Sequence, residues 1–267
     1  MRLRLSLTLV TLLLIAASVH SEATLHKRSI EVVTDDSLRL HAELTTVDTT
    51  EAAPLLVMLP MRGYNGQSYD TFITAALRYL TADTSVSDMP APHMLAVDLR
   101  GHGESTQRTG ESVHYGTMTA AEYTKMPSDV ARLLRRVIAD TTIRIDTSRI
   151  MIVGASIGAN TAIMATQHLP GVRRAVMLSP GKEYHSLAPA EAFKDFEGEA
   201  MLVTSRGDGY SFESSNELAA TKESGWMLKA YPGREHGTSL LYSDKRVMFD
   251  VLEWLFRPFS SDEAKKR

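Results

Sequence analysis

The chain contains no cysteine, which at once excludes disulfides, a thiolate nucleophile, cysteine-ligated metals and a lipid carried on an amino-terminal Cys. Stability must come from the packed core alone. Dense Lys/Arg stripes are also missing, and the formal net charge is -3, so there is no electrostatic footprint for a phosphate backbone and nucleic acid is not an expected partner. The nine histidines form no H-x-x-x-H pair and no tight His/Asp cluster. No metal is therefore expected. An apolar stretch at Leu5 to Val19 is shorter than the roughly 20 residues of a membrane-spanning helix, and Ser6, Thr8 and Thr11 interrupt it. With Arg2 and Arg4 before it and Val19-His20-Ser21 after it, it has the layout of a signal peptide over residues 1–21. The expectation is export, to the periplasm or beyond, with a mature chain that begins near Glu22 and has no stable membrane insertion. Retention as an anchor is the competing reading. Cleavage removes two arginines and no acid, leaving the mature chain mildly acidic.

What is present reads as one globular domain. The chain has 267 residues, 43% of them hydrophobic and 23% charged, an ordinary composition for a soluble protein with a large core. A single domain is expected over residues 22–259, followed by a polar tail, residues 260–267. Ser29–Val33 and Leu38–Thr45 alternate in polarity around Thr34-Asp35-Asp36-Ser37, which predicts a hairpin. Leu55–Leu59, Met94–Val97 and Ile150–Val153 are short continuous apolar runs, suited to parallel strands covered on both faces. Later strands are expected at Arg174–Leu178, Ala200–Thr204 and Trp226–Tyr231. Tyr69–Leu80, Pro127–Ile138, Ala159–Thr166 and Ser243–Phe256 carry helical periodicity. Strands alternating with helices mean an α/β fold with a mostly parallel, doubly wound sheet.

Gly154-Ala155-Ser156-Ile157-Gly158 follows one of these strands directly and opens a small-residue helix. Such a turn needs glycines so that backbones can approach, and it lifts the serine hydroxyl clear of the sheet edge. Ser156 is the candidate nucleophile; as a bare turn, the same motif would make it a helix N-cap. A serine needs a base, and His236 lies in the loop after the last expected strand, at the same sheet edge as Ser156. His168 and His185 read as surface residues. Asp208, in Ser205-Arg206-Gly207-Asp208-Gly209 after another strand, is the candidate acid, with Glu183 as fallback and a solvated turn as the competing reading. The backbone N–H of Ile157, with that of Met61 or Arg62, is expected to hold a developing oxyanion.

The motifs Asp98-Leu99-Arg100-Gly101-His102-Gly103-Glu104-Ser105 and Val153-Gly154-Ala155-Ser156-Ile157-Gly158-Ala159-Asn160 resemble α/β-hydrolases of the dienelactone-hydrolase-like and small-carboxylesterase type, over about residues 30–257. The resemblance implies a core sheet of about eight strands with helices on both faces, a triad in the chain order Ser, Asp, His, no cofactor, and a small-molecule ester or related acyl substrate. The Arg-Gly-His-Gly stretch is structural on this reading, with His102 packed rather than catalytic. In two respects the chain departs from the pattern. Pro60-Met61 stands where members often carry His-Gly, which leaves Arg62 able to face an anionic substrate; and the Ser179–Glu199 connection is too short for a large lid. The cysteine nucleophile of the dienelactone hydrolases is absent, so their particular substrate is not carried over. The expected function is a serine carboxylesterase acting on esters of modest size. Peptidase or amidase chemistry on the same triad, and non-catalytic binding, are the alternatives. Met61, Arg62, Tyr64, Tyr184 and Tyr210 are candidates for the pocket wall.

Overall fold

The computed structural model describes residues 25–47, 51–82, 89–169 and 171–259. The expected signal peptide and polar tail lie outside the described residues. Antiparallel β1 (Leu25–Val33) and β2 (Leu38–Val47) form the expected opening hairpin. The chain continues through β3 (Ala53–Leu59), α1 (Asp70–Ala82), β4 (His93–Val97), the two-residue strands β5 (Gln107–Arg108) and β6 (Glu111–Ser112), α2 (Ala120–Tyr123) and α3 (Met126–Ile138). Then come β7 (Ile145–Ala155), α4 (Ile157–Ala165), β8 (Val172–Leu178), α5 (Ala190–Asp195), β9 (Glu199–Ser205), α6 (Gly209–Ala220), β10 (Trp226–Tyr231), α7 (Ser239–Ser243) and α8 (Lys245–Phe256).

The strands form one sheet in the order β10-β9-β8-β7-β3-β4-β2-β5-β6, with β1 on the outer side of β2. From β10 to β4 every neighbouring pair is parallel. Eight strands are long, in agreement with the expected core, and the β5–β6 hairpin is an addition too short to leave a periodic signal. The apolar runs are continuous because both faces are covered: Leu55, Val57 and Leu59 of β3 pack toward α3 and α4, while Leu56 and Met58 pack toward α1 and α8. Between β8 and β9 the only helix is the six-residue α5.

One helix differs from its expected extent. The helix expected over Ser243–Phe256 starts at Lys245, because Asp244 is extended (φ -135, ψ 116) and accepts a hydrogen bond from the Arg246 N–H. A side chain that caps a new helix competes with the backbone bonds that would continue the old one, so Ser243 ends α7 and Lys245 starts α8.

Candidate active site

Parallel pairing brings the carboxyl ends of β7, β8, β9 and β10 level, with Ala155 beside Leu178 and Ser205 beside Tyr231. Everything that leaves those ends shares one rim. Ser156 turns the chain from β7 into α4 with φ 54 and ψ -118, a strained conformation for a residue with a Cβ, of the kind found where function requires it. The turn is possible because its two glycines have no side chain. A Cβ on Gly154 would collide with the Gly158 carbonyl, and one on Gly158 with the carbonyls of Leu59 and Pro60. The Ser156 turn is thus pressed against the end of β3, next to Met61 and Arg62.

Around Ser156 the rim loops deliver two of the expected partners. The Ser156 hydroxyl donates to Nε2 of His236 at 2.7 Å, and Nδ1 of His236 donates to Oδ2 of Asp208 at 2.6 Å. A carboxylate can only accept, so the proton sits on Nδ1 and Nε2 is left as an acceptor facing the serine. Ser156 is 7% exposed, and the imidazole is 38% and Asp208 14% exposed: the hydroxyl is sheltered while the base remains accessible. Asp208 stands at the entrance of α6, where its backbone carbonyl accepts from Phe212 N. This arrangement can draw the serine proton onto His236 as the oxygen attacks an electrophile and return it afterwards.

Other expected residues lie elsewhere. Glu183 is exposed, its carboxylate accepting from Ser186 N. His168 lies in a 3-10 turn after α4, and its carbonyl accepts from Arg135. His102 is buried, its Nδ1 donating to the Arg100 carbonyl at 2.8 Å and its ring stacked on Tyr115, so it is packed as expected. Ile157 opens α4, where a backbone N–H has no acceptor within the helix. Met61 packs against Gly237, the residue after the histidine. The Arg62 guanidinium turns toward Tyr115 and Tyr123. Among the described residues, no group of three potential ligands is placed to hold a metal ion, and no helix is long and apolar enough to cross a membrane.

Three residues that hold this site were not singled out from the sequence. Ser179, also left-handed at φ 51, accepts from Gly237 N at 3.0 Å and so ties the histidine loop to the end of β8. Ser211, fully buried in α6, lies 3.4 Å from His236 Nδ1 and 3.2 Å from the Tyr184 hydroxyl. Tyr184 sets its ring edge-on to His236, with centroids 6.4 Å apart, and burial pushes its phenol up while the hydrogen bond with Ser211 pulls the other way. It stays a neutral O–H at neutral pH. The loop that carries Tyr184 is pinned by Asn160, which is fully buried. Asn160 donates to the carbonyls of Gly181 (2.9 Å) and Leu187 (2.8 Å) and accepts from Gly181 N (3.1 Å). The signal for Asn160 was available: an amide one turn beyond Ser156, on the same side of an otherwise small and apolar helix, needs a buried partner.

Fold and site together describe a hydrolase built on a doubly wound sheet with its polar groups at the carboxyl edge. The chain belongs to the alpha/beta hydrolase family, whose model matches residues 56–263. No curated protein matches it. Among solved structures it is similar to an esterase of Pyrococcus furiosus, at 15% identity and a TM-score of 0.63, over 87% of this chain and 92% of that one. It is also similar to the acylaminoacyl peptidase of Pyrococcus horikoshii, at 14% identity and a TM-score of 0.66, over 90% of this chain and 44% of that one. A third likeness is to a dienelactone hydrolase of Anabaena variabilis, at 11% identity and a TM-score of 0.59, over 86% of this chain and 94% of that one. At these identities the likeness concerns the fold.

Proposed function

We propose that this chain is a serine hydrolase that cleaves carboxylic esters of modest size through an acyl-enzyme. The observation that carries the reading is the unbroken relay from Ser156 Oγ through His236 to Asp208, at 2.7 and 2.6 Å, mounted on a strained turn. In the first half-reaction, Ser156 Oγ bonds to the ester carbonyl carbon and its proton passes to His236 Nε2. The negative charge on the carbonyl oxygen is held by the Ile157 N–H and by that of Met61 or Arg62. As the tetrahedral adduct collapses, the bond to the alcohol oxygen breaks and His236 gives that oxygen the proton. Water then repeats the sequence on the acyl-enzyme, releasing the acid and restoring Ser156. Asp208 keeps the imidazole in the required tautomer and stabilises its charged form. The short β8–β9 connection, whose only helix is the six-residue α5, favours soluble substrates over lipid surfaces, and the leader read in residues 1–21 favours action after export.

The test is hydrolysis of p-nitrophenyl esters from acetate to decanoate, beside labelling by a fluorophosphonate. Activity should fall with acyl length, and both activity and label should disappear in Ser156→Ala. A folded wild type that neither takes the label nor cleaves any ester would point to binding without catalysis; cleavage of p-nitroanilides in preference to esters would point to an amidase.

A further inference from the structure

Several arginines of this chain are held by acidic side chains. Arg28, Arg100, Arg108, Arg132, Arg149 and Arg246 each meet a carboxylate. Arg62 meets none among the described residues, although it sits in the loop beside the nucleophile turn. Its side chain is nonetheless held in place. Nε donates to the Tyr123 hydroxyl at 3.0 Å, Nη2 donates to the Tyr115 carbonyl at 3.3 Å, and the guanidinium lies 5.0 Å from the centre of the Tyr115 ring. The Tyr123 hydroxyl in turn donates to the same Tyr115 carbonyl at 2.6 Å, which fixes the acceptor that Arg62 uses. A guanidinium has five N–H donors, so these contacts leave three of them, and the whole positive charge, without a counterpart.

The surroundings favour an anion. His185 stacks on Tyr123 with centroids 4.2 Å apart, and it follows Tyr184, whose ring lies edge-on to His236 with centroids 6.4 Å apart. The loop that carries Tyr184 and His185 therefore touches both the tyrosine that holds Arg62 and the imidazole beside Ser156. From Gly63 onward a cavity of about 330 Å³ opens, walled by Tyr64, His102, His114 and Tyr115 with no carboxylate in its lining. Arginine held as a planar fork is better suited to a carboxylate than a lysine would be, because it can offer two parallel N–H bonds.

We propose that Arg62 recognises a carboxylate on the substrate, so that the preferred ester is an anionic one whose charge lies a few bonds from the scissile carbonyl. This inference rests on the serine-hydrolase reading and names the substrate class for that same site. The experiment compares kcat/KM for mono-p-nitrophenyl succinate and glutarate with that for the uncharged p-nitrophenyl butyrate and valerate, and adds 3-carboxyphenyl butyrate against phenyl butyrate for a charge on the alcohol side. Wild type should prefer the charged member of at least one pair by about tenfold or more, a typical effect of a hydrogen bond to a charged group, and the preference should shrink as salt screens the charge. Arg62→Gln should bring the ratio close to one, and Arg62→Lys should retain only part of it. Because the readout is a ratio, any general loss of activity in the variants cancels. Wild-type cleavage of neutral and charged esters alike, at every salt concentration, overturns the role of Arg62 and leaves the hydrolase reading standing. Failure to cleave any of them overturns both.

Discussion

The loop that leaves β4 and the turn that leaves β7 are both built around two glycines and a polar residue, yet they reach opposite chemical states. In Asp98–Ser105 the polar groups are engaged within the scaffold. Asp98 accepts from Gly66 N (2.8 Å) and Glu104 N (2.9 Å) and pairs with His41; Ser105 donates to the Asp98 carbonyl and accepts from His41 N. Arg100, buried, meets Asp36, Glu122 and Asp129. In Gly154–Gly158 the serine is held in a left-handed conformation and its hydroxyl faces the partly exposed His236 imidazole. Arg62 stands to Arg100 as Ser156 stands to Ser105. Similar motifs therefore do not carry similar roles: what separates them is whether the polar groups are satisfied inside the protein or left facing outward.

The sharpest way to break this comparison is Asp208→Asn. The amide can present its NH2 to His236 and stabilise the wrong tautomer, with the proton on Nε2, where it cannot accept from Ser156. The expected loss in kcat on p-nitrophenyl acetate is on the order of 10³ to 10⁴, with a melting temperature within about 2 °C of wild type, since the amide keeps the same volume and a hydrogen bond to His236. Near-normal turnover would reduce Asp208 to a residue that merely opens α6.

The converse change is Arg100→Met, which strands the buried Asp129 and should cost about 3–5 kcal/mol of stability, roughly 10 °C in melting temperature for a domain this size. Turnover per folded molecule should be unchanged. The same variant has a signature in acid. The Arg100 hydrogen bond is the largest of the influences that hold the Asp36 carboxyl well below its usual range, with Lys125 also contributing. A carboxyl whose folded pKa is depressed contributes stability above its unfolded pKa of about 4, and that contribution is lost as pH falls. Wild type should therefore lose stability between pH 5 and 3 more steeply than Arg100→Met, as read by urea denaturation at each pH. Equal slopes would mean that Asp36 draws nothing from Arg100.

Much of this was legible in the sequence because local rules and the fold agree. The apolar runs of β3, β4 and β7 could only be strands covered on both faces. The strand, Gly-x-Ser-x-Gly and small-residue helix could only make a sharp turn, and Asp208 and His236 fell after strands that end on the same rim. Parts of the structure that depend on contacts distant in sequence were not legible. Ser179 acquires its role from Gly237, and Ser211 from a histidine one strand and one loop further on. The direction of the Arg62 side chain depends on two tyrosines supplied by the segment after β6. The start of α8 shows the opposite limit, where the local cap at Asp244, not the apolar period, sets the first residue of the helix.

Asn160 tests whether the loop beside the site belongs to the scaffold or to the chemistry. Asn160→Ala leaves the Gly181 N–H and the carbonyls of Gly181 and Leu187 without their buried partners. That should cost about 2 kcal/mol, less than the sum of three lost bonds because water can enter the gap. If the loop only packs, the melting temperature falls and kcat/KM on p-nitrophenyl acetate stays put, placing Asn160 with Arg100. If the loop positions Tyr184 against His236 and Ser211, kcat should fall by about tenfold as well, the scale expected when a group beside the reacting atoms is displaced by a fraction of an ångström. Asn160→Asp distinguishes packing from hydrogen bonding: it fills the same volume and still accepts from Gly181 N, but it can donate to neither carbonyl and brings a buried charge. It should therefore be less stable than the alanine variant at neutral pH. Its stability should recover as pH falls, because protonation of the buried carboxyl removes the charge and restores one donor.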